Sequence, residues 1–429
     1  MLTAPEQGVL TALELARSRR FAEIPELFAA AVRAMVVPEA LEAGWNAQLD
    51  RQGPVVSVGA PVREPGPGGS VVVRVPVTCE RGGFAVIAPV DAEGRLGGLQ
   101  LAPLSAAAPI APWKAPGYAD PASFEEQEVT LGPEPLTVSG TVTVPRGSGP
   151  WPGVVLLAGS GALDRDETIG RNKPFKDIAW GLGSRGVAVI RFDKVTHAHA
   201  GELKDARDIT LNDEYLPQAT AALHVLQQHA GVDPARVFLL GHSLGGTVAP
   251  RVVHAEGSVA GMILLAGGAQ PLHWVIVRQA RYLAALNPAT AAGSQPMLEA
   301  LTAKAQMVDS PDLSPSTPAS ELPLGAPASY WLDIRAYDPA ALAATLGKPM
   351  LILQGGRDYQ VTVDDDLARW RAALDGRAEV TIKVYPDFNH LFTAGSGPST
   401  PAEYEPAQHV DPAVIADVAQ WLGTTAPSG

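Results

Sequence analysis

The sequence predicts an α/β protein in which a small α+β domain precedes a mostly parallel sheet of eight strands. Three observations predict this fold. From about residue 123 onward, apolar runs of strand length alternate with helical segments, as they do when helices cover both faces of a parallel sheet. One of these runs, residues 237–240, leads into a serine between glycines and then into a helix-compatible segment. A stretch rich in proline, residues 106–121, separates this part of the chain from a different pattern before it.

Composition and charge bound the class of protein. The chain has 429 residues, of which 46% are hydrophobic and 18% charged, so it is a globular protein with a large core and a length typical of two domains. The formal charge of −13 predicts repulsion from nucleic acids and from anionic membranes. Small neutral or apolar molecules are the expected partners. The lone cysteine, Cys79, lies in an apolar run and is interpreted as a buried structural thiol.

The chain shows no targeting segment. Residues 1–34 mix charged with apolar side chains, which is unlike the apolar core of a signal peptide. No window approaches the roughly 20 consecutive apolar residues of a membrane span. We therefore expect a cytoplasmic protein without a membrane span.

The first domain is predicted over residues 1–107. Apolar residues recur at helical spacing up to Val36, and strands follow them. The predicted strands are 55–58, 71–78, 83–89 and 97–102, and the stretch 64–70, rich in proline and glycine, is predicted as a loop. Helices followed by an antiparallel sheet resemble the cone-shaped NTF2-like domains. We expect a packing domain, through which the chain forms a homodimer.

The second domain is predicted over residues 123–429, after a linker at 108–122. Its first two strands alternate polar and apolar residues, as an antiparallel pair does, and the later runs are uniformly apolar, as buried parallel strands are. The predicted strands are 124–131, 136–144, 154–157, 187–192, 237–240, 262–265, 350–353 and 380–385. The predicted helices are 174–184, 213–229, 244–254, 364–374 and 412–422.

One interval is too long for an ordinary connection. More than eighty residues separate Leu265 from Met350, and they include two helix-like pieces, 274–286 and 296–307. The first piece is too apolar for a free surface loop. We predict a helical lid at about 270–335.

Ser243 is the predicted nucleophile. It follows an apolar strand directly and is flanked at two residues on either side by Gly241 and Gly245, the pattern of a sharp strand-to-helix turn in which a Cβ would collide with a neighbouring element. Such a turn lifts the serine hydroxyl clear of the sheet. It also directs the backbone N–H of Leu244 toward the place where a substrate oxyanion forms.

A serine hydroxyl needs a base and a group that orients the base. His390 lies just past the eighth strand and Asp358 just past the seventh, in the order acid then histidine that α/β-hydrolase folds use. Gly355 and Gly356 are expected to let the loop before the acid turn sharply. Asp387 is the competing acid, but its place beside a proline favours a local turn.

The second oxyanion donor is expected in the loop after the third strand, residues 158–166. Ser160 is the expected donor through its backbone N–H, and the nearby Asp164, Arg165 and Asp166 are expected to clamp the loop by ion pairs. His242 is expected to pack beneath the turn at Ser243. The residues expected at the substrate pocket are Gly161, His242, Trp274 and Trp331.

These residues carry a family resemblance. The motifs are Gly159-Ser160-Gly161 with Asp164-Arg165-Asp166, Asn172-Lys173-Pro174-Phe175, Phe192-Asp193-Lys194, Gly241-His242-Ser243-Leu244-Gly245-Gly246, Gly355-Gly356-Arg357-Asp358 and Asn389-His390. Together they resemble the bacterial α/β-hydrolase esterases of the EstD type, in which a DUF3887-like domain precedes the hydrolase. The resemblance implies a carboxylesterase for short acyl esters, with Ser243, Asp358 and His390 as the triad.

We therefore predict a serine carboxylesterase that needs neither a metal nor an organic cofactor. Two alternatives stay open. A serine peptidase of the prolyl-oligopeptidase kind shares the fold and the triad, although its usual propeller domain has no counterpart in this sequence. A non-catalytic binding protein of the same fold is disfavoured, because all three triad residues are present.

Overall fold

The computed structural model describes residues 3–33, 36–66, 70–107, 112–203, 206–286 and 288–425. The chain forms two compact units. The first comprises Met1–Pro112, Ile276–Ser310 and Pro318–Gly325, and the second comprises Trp113–Val275, Pro311–Thr317 and Ala326–Gly429. Within the described ranges, no helix has both the length and the apolar character that crossing a membrane requires.

The amino-terminal part of the first unit has helices α1 (Ala4–Arg17), α2 (Ala30–Arg33) and α3 (Pro38–Gln52), followed by an antiparallel sheet. The strands are β1 (Val55–Val58), β2 (Val62–Pro65), β3 (Val71–Cys79), β4 (Gly82–Val90) and β5 (Gln100–Pro103). The sheet order is β1-β3-β4-β5, and β2 also pairs with β3. Edge-to-face packing of Trp45 on Phe84, with ring centroids 5.3 Å apart, joins α3 to the sheet.

Strand β2 differs from the prediction, which assigned residues from 64 onward to a loop. A partner on β3 explains the strand, because Arg74 is buried and its Nε lies 2.9 Å from Glu64 Oε2. A charged side chain is rarely buried unless it is paired. Pairing of β2 with β3 therefore brings Glu64 to the buried guanidinium of Arg74. Residues 67–69 of the predicted loop lie outside the described residues.

The second unit is built on an eight-stranded mixed sheet. Its strands are β6 (Phe124–Leu131), β7 (Val138–Pro145), β8 (Trp151–Leu157), β9 (Ala188–Phe192), β10 (Val232–His242), β11 (Met262–Leu265), β12 (Met350–Gly355) and β13 (Val380–Tyr385). The order is β13-β12-β11-β10-β8-β9-β7-β6. Strand β7 pairs antiparallel with β6 and β9, and the remaining pairs are parallel. All eight predicted strands are found, which confirms the predicted α/β sheet.

The helices that follow in chain order are α4 (Pro174–Gly183), α5 (Val195–Ala198), α6 (Ala200–Leu203), α7 (Leu211–Gln228), α8 (Leu244–Ala255), α9 (Leu272–Ala285), α10 (Pro288–Asp309), α11 (Ala328–Arg335), α12 (Pro339–Thr345), α13 (Ala368–Ala373) and α14 (Pro412–Thr424). Helices α4 and α14 pack on one face of the sheet, in a core that includes Leu156 and Leu240. Helices α7 and α8 contact β10. The uniformly apolar runs are explained by this burial of the central strands.

The predicted helix 364–374 is divided. A π-helical turn, Val363–Leu367, precedes α13. Within it, the fully buried carboxylate of Asp366 accepts hydrogen bonds from the backbone N–H groups of Ala269 and Gln270, each at 3.0 Å. The acidic residues at this place therefore satisfy backbone donors of the loop after β11.

The long interval between β11 and β12 contains α9 and α10, where two helices were predicted. Helix α9 begins in the second unit, and its residues from Ile276 onward cluster with the first unit, as α10 does. Within the first unit, α10 packs against α3.

Candidate active site

Ser243 lies at the junction of β10 and α8 in a strained backbone conformation. Its φ is 53° and its ψ is −119°, values that a residue with a Cβ rarely adopts. The side chain is half-buried, and its N–H donates to the carbonyl of Leu265 at 2.9 Å. Strain at a single serine between a buried strand and a helix is the backbone signature of a nucleophile elbow.

The two flanking glycines make the turn possible because no side chain fits at either position. A Cβ on Gly241 would lie 2.5 Å from the backbone nitrogen of Gly246. A Cβ on Gly245 would lie 2.6 Å from the carbonyl carbon of Leu157, in the neighbouring strand β8. Both obstacles are backbone atoms, which cannot move aside as a flexible side chain can.

We expect Gly245→Ala to lower the melting temperature by about 2 °C or more, since overpacking against backbone costs about 1–3 kcal/mol and 1 kcal/mol is worth roughly 2–4 °C for a domain of 150–250 residues. Gly257→Ala is the matched control, because its Cβ would have nothing within 4 Å. Differential scanning fluorimetry of both variants measures the difference. Equal melting temperatures for the two variants would contradict the steric account of the elbow.

His390 and Asp358 form a buried pair. His390 Nδ1 donates to Asp358 Oδ2 at 2.6 Å, and both residues are about 95% buried, with exposed fractions of 4% and 5%. The other carboxylate oxygen accepts the backbone N–H groups of Gln360 at 2.8 Å and Val361 at 3.0 Å. Because Nδ1 is engaged by the carboxylate, Nε2 of His390 is left to accept a proton. The competing acid, Asp387, is exposed.

The glycines before Asp358 lie in the sharp turn that was expected, in which the N–H of Asp358 donates to the carbonyl oxygen of Gly355 at 3.4 Å. They also have a second role. A Cβ on Gly355 would lie 2.6 Å from the carbonyl oxygens of Phe388 and Asn389. The glycines therefore allow the backbone of the acid loop to lie directly against the backbone of the loop that carries His390.

Glu403, a residue that no motif indicated, links the same two loops. Its carboxylate accepts a hydrogen bond from Asn389 Nδ2 at 3.0 Å and forms an ion pair with Arg357. Burial raises the pKa of Glu403, but the hydrogen bonds from Arg357, Asn389 and Ser399 outweigh it and lower the pKa overall. Glu403 thus binds both Arg357, which precedes Asp358, and Asn389, which precedes His390, and so links the two loops.

The loop after β8 is held by its Gly159 peptide groups. The N–H of Gly159 donates to Glu167 Oε1 at 2.7 Å, and its C=O accepts from Lys194 Nζ at 2.8 Å and from the Tyr215 hydroxyl at 2.9 Å. In a planar trans peptide the next N–H points opposite to this C=O. The backbone N–H of Ser160 therefore points away from Lys194.

Two exposed positions follow at the tip of this loop. Ser160 and Gly161 are exposed, and a Cβ on the preceding Gly159 would be 3.2 Å from Ser243 Cβ, so the loop passes beside the serine. Leu244 begins α8, where the first N–H groups have no intrahelical partner. The arrangement can offer two backbone donors near Ser243.

The expected ion-pair clamp at the end of this loop is present for Asp166 and Arg165, whereas Asp164 accepts hydrogen bonds from the N–H and hydroxyl of Thr168. Asp166 Oδ1 lies 2.9 Å from Arg191 Nε, and its Oδ2 lies 2.8 Å from Lys173 Nζ. Burial raises the pKa of Asp166, but the two cations hold it below its ordinary value. Arg165 forms a second pair, with Asp193, at 3.1 Å.

His242 lies beneath the turn and is 96% buried, with an exposed fraction of 4%. Its Nδ1 is 2.9 Å from Glu167 Oε1, and its Nε2 is 3.0 Å from the backbone carbonyl oxygen of His390. Both ring nitrogens are thus engaged within the protein, which places His242 among the residues that hold the loops. Glu167 was not singled out in the sequence, because it carries no motif of its own and its partner His242 is 75 residues away.

The two tryptophans expected at the pocket pack around one histidine. The rings of Trp274 and Trp331 lie 5.9 Å and 6.2 Å from the ring of His273. Trp331 is fully buried and Trp274 is half-buried. Trp274 therefore has the accessible surface that a pocket residue needs, and the fully buried Trp331 does not. No group of three or more side chains with metal-ligand chemistry occurs among the residues that the structure describes.

Comparison with known proteins places this geometry among hydrolases. The family model described as serine aminopeptidase, S33, matches residues 168–394. Esterase EstD of Thermotoga maritima is 41% identical over 345 residues, which cover 80% of this chain and 77% of that protein.

Solved structures with similar folds are more distant in sequence. Est1E from Butyrivibrio proteoclasticus has 15% identity and a TM-score of 0.44, with 70% of this chain and 98% of that chain covered. A puromycin-hydrolyzing peptidase of Mycobacterium tuberculosis has 18% identity and a TM-score of 0.46, with 84% and 47% covered.

Proposed function

The chain belongs to the hydrolase family described as serine aminopeptidase, S33, and we propose that it is a carboxylesterase that hydrolyses short-chain acyl esters through an acyl-enzyme on Ser243. One observation carries the proposal. The strained Ser243 stands beside the loop of a histidine whose Nδ1 is held 2.6 Å from a buried carboxylate. The named activity of the 41% identical relative, an esterase, supports the same reaction class.

In the proposed mechanism, His390 Nε2 takes the proton of the Ser243 hydroxyl as the oxygen attacks the ester carbonyl carbon. The N–H groups of Leu244 and Ser160 donate to the oxyanion of the tetrahedral intermediate. The protonated His390 then gives its proton to the leaving alcohol. A water molecule, activated by the same histidine, attacks the acyl-enzyme and releases the acid. Asp358 accepts the hydrogen bond of His390 Nδ1 and so keeps the imidazole in the required tautomer.

The insertion that contains α9 is proposed to act as a lid, with the half-buried Trp274 at the acyl pocket. The support is the apolar character of α9 and its start directly after the loop that follows β11. A pocket of limited depth favours short acyl chains, because a misfit methylene in an apolar pocket costs about 1–3 kcal/mol.

The expected result is that 4-nitrophenyl esters with about two to six acyl carbons react at least about tenfold faster, in kcat/KM, than the decanoate. Amino-acid 4-nitroanilides, which report peptidase activity, should react more slowly still. Trp274→Ala should reduce the ratio of kcat/KM for the butyrate to kcat/KM for the decanoate. The control is Trp113→Phe, which should leave this ratio unchanged, because Trp113 packs against Trp180 with ring centroids 4.8 Å apart. Faster turnover of the anilides than of the esters would support the peptidase alternative instead. An unchanged chain-length profile in Trp274→Ala would contradict the proposal that this insertion acts as a lid.

The amino-terminal part of the first unit is proposed to be the NTF2-like domain. Its support is the antiparallel sheet β1-β3-β4-β5 with α1 packed on it, and a cavity of about 460 Å³ beside α3. The cavity is mainly apolar and includes Leu41, Trp45 and Leu101 among its lining residues.

A further inference from the structure

Glu167 and His242 form a buried pair that touches three loops at once. Glu167 Oε1 accepts the N–H of Gly159 in the loop after β8, residues 158–166, which we call the oxyanion loop. The same oxygen faces Nδ1 of His242, the residue before the nucleophile. His242 Nε2 in turn faces the carbonyl oxygen of His390, in the loop after β13, which we call the His390 loop. One acceptor atom and one imidazole ring thus connect the oxyanion donor, the nucleophile and the base.

The protons of this pair follow from its partners. A backbone carbonyl only accepts hydrogen bonds, so Nε2 of His242 carries a proton. Nδ1 faces a carboxylate oxygen, so a second proton lies between His242 and Glu167. Burial lowers the pKa of His242, but the charge of Glu167, its hydrogen bond and the bond to His390 raise the pKa overall. The shift favours the doubly protonated ring, which can donate both hydrogen bonds.

The pair is costly to build. Glu167 is fully buried and has a positive φ of 53°, which is uncommon for any residue other than glycine. Its other oxygen, Oε2, is buried without a hydrogen-bond partner among the described residues. A buried ion pair contributes little net stability, because desolvation offsets the attraction. The geometry that the pair imposes is therefore a better account of its presence than the stability it adds.

We propose that Glu167 and His242 are positioning residues that hold the oxyanion loop and the His390 loop in register around Ser243. The inference rests on the proposed function, because it gives these loops their catalytic roles. Loss of the pair would remove the hydrogen bond of the Gly159 N–H and the one to the His390 carbonyl oxygen together. The distances among nucleophile, base and oxyanion donor would then loosen, while the groups that bind the substrate stay in place.

The test uses Glu167→Gln, His242→Asn and the double variant of the full chain. In Glu167→Gln the neutral imidazole has one proton for two acceptors, so one hydrogen bond is lost without a change of shape. We expect kcat per active site, counted by burst titration with an aryl ester, to fall about 10- to 100-fold with KM changed less than about threefold. The double variant should lose about as much as either single variant, because the two residues act as one unit. If Glu167→Gln does not fold, His242→Asn is read by the same measurements.

The matched control is Asp177→Asn, which alters another histidine–carboxylate pair, one whose carboxylate is buried and whose histidine is half-buried. Asp177 Oδ1 lies 2.9 Å from His409 Nδ1, and the other partners of Asp177 are Trp113 and Val410. This variant should lower the melting temperature and leave kcat per active site unchanged. The proposal is overturned if the Glu167 and His242 variants behave in the same way, or if they keep kcat per active site within about twofold of the wild type.

A second readout separates this proposal from the proposed function. The rate at which a 4-nitrophenyl phosphonate modifies Ser243 depends on the nucleophile, the base and the oxyanion donors, whatever the natural substrate is. A wild-type chain that is phosphonylated at Ser243 but hydrolyses no ester would contradict the esterase function alone. Phosphonylation that is equally fast in the wild type and in Glu167→Gln would overturn the positioning role alone.

Discussion

Ser243→Ala is expected to lower kcat for ester hydrolysis by about 10⁴-fold or more, because loss of a serine nucleophile leaves only substrate binding and oxyanion stabilisation. The fold should be unaffected. Alanine keeps the Cβ that the φ of 53° already accommodates, and the half-buried hydroxyl contributes little to stability. Initial rates on a 4-nitrophenyl ester, together with the melting temperature, measure both effects.

Ser258→Ala is the control for the nucleophile, because Ser258 is exposed and its hydroxyl accepts a hydrogen bond from Gln227 Nε2 at 3.0 Å. It should keep the wild-type rate. A peptide map after phosphonylation should locate the modification on Ser243 in the wild type and show none in Ser243→Ala. If Ser243→Ala keeps more than about a tenth of the wild-type rate, the nucleophile has been assigned wrongly.

Asp358→Asn is expected to lower kcat by about 10⁴-fold at neutral pH, the cost of holding a catalytic histidine in the wrong tautomer. The backbone N–H groups of Gln360 and Val361 select an acceptor at the Oδ1 position, so the amide NH₂ of asparagine is directed at His390 Nδ1. That donor forces the ring proton onto Nε2, where it blocks uptake of the serine proton. KM should change little, because the acid does not contact the substrate.

Asp387→Asn is the matched control for the acid. Asp387 is three residues from His390 in the same loop but is exposed, and it is the other acid that the sequence offered. It should keep kcat within a few-fold of the wild type. The reverse result, with Asp387→Asn inactive and Asp358→Asn active, would mean that the acid has been assigned wrongly.

Patterns within short segments of the sequence were sufficient to predict much of the fold of this protein. Alternation of polar and apolar residues predicted the first two strands of the main sheet, and apolar runs predicted the other six, because both patterns lie within a few consecutive residues. The same holds for the elbow, since the glycines and the serine that shape it lie within five positions. Strand ends were less accurate. Residues 237–240 were predicted, and β10 spans Val232–His242, because Val232 pairs with Trp151 of β8 across an irregularity in register and Gly241 pairs with Leu157.

The local sequence did not indicate the residues whose partners lie elsewhere in the chain. Glu403 reaches Arg357 and Asn389 from a turn beyond the last strand, and β2 exists because Glu64 meets Arg74 ten residues away. The turn expected at Gly355 is present, but the sequence did not indicate the close backbone approach at this glycine. Its neighbour is the backbone of another loop, and that approach depends on how two strands pair.

The sequence by itself determined the α/β architecture and predicted a nucleophile, an acid and a base. Each of these depends on apolar periodicity or on a residue type at the end of a strand, which are properties of short segments. Only the tertiary structure decided which groups hold the loops together. Glu167 and His242 are 75 residues apart, and His242 and His390 are 148 apart. A hydrogen bond forms wherever folding brings donor and acceptor within about 3 Å, and that distance is set by packing of the whole sheet, which no short segment encodes.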